Sequence, residues 1–148
     1  MKKNLLFMGL LITLLFSSVN AQEINQGLKN EDVPAQVKAR FLKLYPSVKN
    51  IDWSLEDGKY EGKFNYNKQS MSVQITPKGK LVQKETYLKI SELPKAVQDY
   101  LAKNYAGVDF EKASKKTDAK GILFYQAETK EKTLLFNSKG KFIKEEKE

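Results

Sequence analysis

The sequence predicts an α+β fold: two tandem helix-plus-four-strand repeats sharing one antiparallel sheet of about eight strands, with both helices on one face. Three observations predict it. Residues 33–48 return as residues 93–108, with Pro34/Pro94, Val37/Val97, Lys43/Lys103, Tyr45/Tyr105 and Val48/Val108 identical. The hydrophobic period then switches from helical spacing to strict alternation after each copy. Turn residues punctuate the alternating stretches at short intervals, as in an antiparallel meander. One unit alone has too little core, so the two are expected to share a sheet.

The chain opens on an expected export signal over residues 1–21. Lys2 and Lys3 are followed by an apolar run at 5–16 and by Val19, Asn20 and Ala21, with cleavage expected after Ala21. The run is shorter than the ~20 residues of a membrane span. With no cysteine, neither a lipidated N-terminal Cys nor a disulfide is available. The expected address is the periplasm or the medium, with no stable membrane anchor once the signal is removed. Residues 22–32 read as a flexible lead-in. Residues 33–148 read as one domain, divided into repeats 33–90 and 91–148.

In the first repeat, Pro34 suits a first helical turn. Val37, Phe41, Leu44 and Tyr45 form one stripe, and Pro46 stops the helix. From Val48 alternation sets in. Ile51, Trp53 and Leu55 form one phase, followed past the turn at Asp57-Gly58 by Tyr60, Gly62, Phe64 and Tyr66, then Met71, Val73 and Ile75. Pro77-Lys78-Gly79 is a turn, and residues 81–88 give the fourth strand. In the second repeat, Val97, Leu101 and Tyr105 form the stripe and Gly107 follows the helix. A strand over 108–113, a charged turn over 115–120, strands around Tyr125 and Phe136, and a fraying tail over 144–148 complete the reading. Tyr125 falls on Tyr60, and Ser138-Lys139-Gly140 on Pro77-Lys78-Gly79.

Composition narrows the function. The net charge is +8, but Arg40 is the one arginine and the lysines are scattered among acids, a poor match to nucleic-acid recognition. Scattered lysines also keep strand edges from pairing with other chains. Without histidine or cysteine, the common general base, the thiol nucleophile and the usual zinc ligands are missing. Asp52, Glu56 and Asp57 lack calcium-loop spacing. Ser138 and Lys141 have the Ser-x-x-Lys spacing of some acyl-transfer enzymes, but in a hairpin turn rather than on a helix. No catalytic residue, metal or cofactor is expected.

The Val/Leu-Pro-x-x-Val helix, Trp53 strand, Tyr60 strand and Lys-Gly-Lys turn, given twice after a signal peptide, resemble the PepSY-like family. Its tandem repeats are similar to those of the beta-lactamase inhibitor protein. The resemblance spans residues 33 to about 144. It implies a curved sheet with the helices on its convex side and a binding or inhibitory role. The absence of cysteine departs from the disulfide-containing inhibitor, so no target-contacting residue carries over.

A candidate binding face follows from strand phase. Trp53, Tyr60, Phe64, Tyr66 and Tyr125 lie on the apolar phase and read as core. The opposite phase of the first repeat carries Lys59, Glu61, Lys63, Asn65, Ser72 and Gln74, an ordinary wet surface. In the second it carries Ile122, Phe124, Leu135 and Ile143 beside Gln126 and Glu128. Apolar residues on the solvent phase point to an interface. The expected function is therefore a non-catalytic exported module that engages or inhibits another envelope or secreted protein, a hydrolase among the candidates. The alternatives are a self-associating, homodimeric envelope protein and a small-ligand carrier.

Overall fold

Pro34 and Pro94 set the two helices. Each proline, with φ near −55° and −52°, stands immediately before a ten-residue helix: α1 is Ala35–Leu44 and α2 is Lys95–Asn104. Their carbonyls accept from the N–H groups of Val37 and Lys38, and of Val97 and Gln98, which would otherwise be orphaned at a helix start. A short 3-10 turn precedes each helix, at Asn30–Asp32 and Ile90–Glu92. The buried stripe is Val37 and Phe41 on α1, and Val97 and Leu101 on α2.

The computed structural model describes residues 27–147. The expected export signal and residues 22–26 of the expected lead-in lie outside the described residues. Nine strands follow one another in space as in sequence: β1 Gly27–Leu28, β2 Asp52–Glu56, β3 Lys59–Tyr66, β4 Gln69–Ile75, β5 Leu81–Leu88, β6 Lys112–Asp118, β7 Leu123–Glu128, β8 Lys132–Asn137 and β9 Phe142–Lys147. Every neighbouring pair is antiparallel.

This corrects the expected fold. The described residues form a single nine-stranded antiparallel sheet with two α-helices, not an eight-stranded sheet of two helix-plus-four-strand repeats. The additional strand, β1, lies in the supposed lead-in. It pairs Gly27 with Ser54 and Leu28 with Trp53, and two residues are too short to show a period. The strand expected from Val48 begins only at Asp52, because residues 45–51 carry the chain from α1 to the sheet. The charged turn expected over 115–120 is mostly strand: β6 runs to Asp118, and Lys116 lies opposite Glu85 on β5. The tail is also strand, since β9 reaches Lys147.

Ladder partners share a face, which fixes the layers. Trp53, Gly62 and Val73 align across β2, β3 and β4, while Leu88, Ala113, Ala127 and Leu134 align across β5 to β8. The first set packs with Val37, Phe41 and Tyr45, the second with Val97 and Leu101. Met71, Thr86, Lys115 and Tyr125 form a rung joining the sets. Both helices therefore cover the same face. Two bulges, at Val82 opposite Gln74/Ile75 and at Ile143 opposite Leu135/Phe136, insert one unpaired residue each.

Candidate binding face

The other side of the sheet has no helix over it among the described residues, yet its centre is not wet. Glu61 on β3 and Glu85 on β5 are only 5% and 7% exposed, and Ser72 between them on β4 is buried. A carboxylate shielded to this degree needs partners. Lys63 Nζ lies 3.1 Å from Glu61, and Lys116 Nζ lies 3.5 Å from Glu85, whose other oxygen accepts from Ser72 Oγ at 3.5 Å. Tyr87 joins the cluster. Burial and then the charge of Glu85 hold its hydroxyl above the usual tyrosine range, while a hydrogen bond with Ser72 pulls the other way. At Lys63, burial favours the neutral amine, but the hydrogen bond and charge of Glu61 outweigh it and its pKa is raised. A chain of alternating charge thus crosses β3 to β6.

The expected site residues divide around this network. Glu61 and Lys63 are inside it, and Lys59 is half-buried at the start of β3. Ser72 and Glu61 contradict the expected ordinary wet surface, because long neighbours on adjacent strands shield them. Gln126 and Ser114 face each other across β7 and β6, both buried, and neither Gln126 Oε1 nor Ser114 Oγ has a hydrogen-bond partner. Beyond them lie the apolar residues. Ile122 and Ile143 are 58% and 54% exposed, while Phe124, Leu135 and Glu128 are half-buried. Ile143 is exposed because it is the extra residue of the β9 bulge. Phe124 lies beside Lys116, and Leu135 beside Gln126, so the apolar group runs directly into the ionic one.

Sequence reading missed Glu85, Tyr87, Ser114 and Lys116. The alternation of Gln83, Glu85 and Tyr87 was available, but reading 115–120 as a turn hid the partner of Glu85. Other side chains fall where their phase put them. Trp53 and Phe64 are buried in the first core, which Tyr60 and Tyr66 pack against, and Tyr125 packs against the second. Ser138 and Lys141 sit in a turn closed by Asn137 Oδ1, which accepts from the N–H groups of Lys139 and Lys141. No group of acids that could hold a metal occurs among the described residues.

No protein-family model matches the chain, and no curated protein matches it. Solved structures do. A DUF2874 family protein from Bacteroides uniformis superposes with a TM-score of 0.70 at 23% identity, over 77% of this chain and 88% of that one. A protein described as periplasmic from Bacteroides eggerthii gives 0.67 at 23% identity, over 78% and 88%. A BLIP-like protein from Bacteroides fragilis gives 0.64 at 19% identity, over 77% and 86%. The chain has a BLIP-like fold. The resemblance read from the sequence stands at that level, and no family model places the chain among PepSY-like proteins. No helix among the described residues is long and apolar enough to cross a membrane.

Proposed function

We propose that the chain is an exported, non-catalytic binding module that engages another envelope or secreted protein through the helix-free sheet face. One observation carries the reading: a shielded ion-pair network on β3 to β6 continues into Phe124, Leu135 and Ile122 on a face that nothing among the described residues covers. Apolar side chains beside oriented polar groups are the usual makings of a protein interface. The periplasmic description of one structural neighbour supports the compartment.

Affinity capture from an envelope fraction tests it. A Phe124→Glu/Leu135→Glu variant is expected to lose a captured protein that the unaltered chain retains, while Leu42→Glu on the helix side retains it. Ile122→Glu keeps the test sharp, since a residue 58% exposed can take a charge without unfolding the sheet. Undiminished capture by folded Ile122→Glu and Phe124→Glu/Leu135→Glu chains contradicts the reading.

A further inference from the structure

Trp53 is the one tryptophan of the chain. Its indole Nε1 is buried and has no hydrogen-bond partner. Gly62 fixes the direction of the ring: a Cβ there would lie 2.9 Å from Trp53 Cζ3 and 3.0 Å from Cη2, so the benzo edge rests on β3. The pyrrole edge with its N–H is therefore turned away from β3. Trp53 lines a cleft of about 690 Å³ bounded by α1, the 46–52 connection and the start of β2. That volume lies within the ~300–1,000 Å³ of small-ligand sites.

The lining has two chemistries. Leu42, Pro46 and Ile51 give it an apolar wall, and Leu42 is 51% exposed there. Lys38 and Lys49 supply positive charge, while Asp52, the one acid in the lining, lies on the sheet phase opposite Trp53. Lys38 Nζ donates to the Asn30 carbonyl at 3.0 Å and has protons to spare. Two cations beside an apolar wall call for one kind of guest. We propose that this cleft binds a small amphipathic carboxylate, its hydrocarbon against Leu42, Pro46 and Ile51 and its carboxylate held by Lys38 and Lys49. The site is on the helix side, so it is independent of the protein-binding face. The corresponding cleft beside α2 is smaller, about 430 Å³, and has Asp99 in its lining and no tryptophan.

Because Trp53 is unique, its indole N–H gives one cross-peak in a ¹H–¹⁵N spectrum and its ring gives all tryptophan fluorescence. The purified chain is titrated with octanoate, octan-1-ol and octylammonium, each below its aggregation concentration. Octanoate is expected to move the indole cross-peak saturably and to bind at least about tenfold tighter than the other two. Lys38→Glu/Lys49→Glu is expected to weaken octanoate by about tenfold or more with the circular-dichroism spectrum unchanged; Lys49→Glu alone, at an exposed position, is expected to weaken it less. Equal binding of the three probes, or an indole signal that octanoate leaves in place, overturns the proposal.

Discussion

The two halves of the sheet fill the same rung in different ways. Trp53 on β2 faces Gly62 on β3, whereas Ala113 on β6 faces Ala127 on β7. One large ring laid over a missing side chain occupies the space that two methyl groups and their neighbours occupy in the other half. The surroundings follow suit. Around Trp53 the core is aromatic, with Phe41 packed edge-on at 5.5 Å from Trp53 and 4.9 Å from Phe64, and Tyr45 at 4.6 Å from Phe64. Around the alanines it is mainly aliphatic, with Leu93, Val97, Leu101 and Leu134 and one fully buried ring, Phe136, which meets Tyr100 at 5.4 Å, while Tyr100 stacks on Phe142 at 4.9 Å. The lesson is that the same rung accepts a large ring only where its partner on the next strand has no side chain to displace. The large cleft adjoins the half that solved the problem with an indole.

The largest expected effect breaks that rung directly. Trp53→Ala leaves a hole beside Phe41 and is expected to cost ~3–5 kcal/mol in denaturant unfolding. Gly62→Ala forces a methyl to within 2.9 Å of the indole and is expected to cost ~1–3 kcal/mol. Making both changes recreates the alanine pair of the other half, so the double variant is expected to lose less than the sum of the singles; strict additivity would show that the two side chains do not share the space.

The turns sharpen the comparison on a smaller scale. Gly79 and Gly140 both have φ +78° and both press on the first turn of a helix. A Cβ at Gly79 would meet the Gln36 carbonyl oxygen at 2.8 Å, while one at Gly140 would meet the Ala96 methyl at 2.9 Å. Alanine is expected to cost ~1–3 kcal/mol at either, because the Gln36 carbonyl and the Ala96 Cβ are both fixed to a helix backbone and neither can swing aside. Thermal melts of the two variants check that both lose stability by a similar amount.

The smallest effect concerns the tyrosine that ends each helix. Tyr45 is buried among Phe64 and Tyr66, and burial, then Tyr66, raises its pKa. Tyr105 instead donates to Glu145 on β9 at 2.6 Å, with Lys132 reaching the same carboxylate at 3.1 Å. Its hydrogen bond to Glu145, with some burial, pushes its pKa up to about 12, and the same bond, then that from Lys132, holds Glu145 below its ordinary value. The linkage has a sign at each end. A raised tyrosine pKa gives stability that is complete below pH 10 and is lost towards about pH 12; a lowered carboxylate pKa gives stability that is lost as pH falls below the ordinary carboxylate value. The stability difference between the unaltered chain and Tyr105→Phe is therefore expected to be small, to hold across neutral pH and to vanish at both extremes. A difference that is flat with pH would remove Glu145 from the account.

Much of this was legible in the sequence. Pro34 and Pro94 marked both helix starts, and alternation put Trp53, Phe64, Val73, Ile75, Leu134 and Phe136 on the core phase they occupy. Failures came where a period could not form or charge hid it. Gly27 and Leu28 are too few to alternate, so β1 was invisible and the sheet was counted short. Lys115 and Lys116 read as a turn because both are charged, yet on a strand they point to opposite faces, and Lys116 has Glu85 to meet. The candidate face was legible only in part for the same reason: phase located Phe124 and Leu135, but the burial of Glu61, Ser72 and Gln126 depends on which residues lie opposite them on the adjacent strands, such as Gln74, Glu85 and Leu135. The bulge at Ile143 depends on register, which one strand alone does not encode.

The central claim is that the helix-free face is where a partner sits. A photo-crosslinking phenylalanine analogue at Ile122, set against the same analogue at Ala102 on the exposed side of α2, tests it most directly in the intact envelope. The account predicts a discrete crosslinked species from position 122 and none from position 102. Crosslinking from position 102 alone would contradict it.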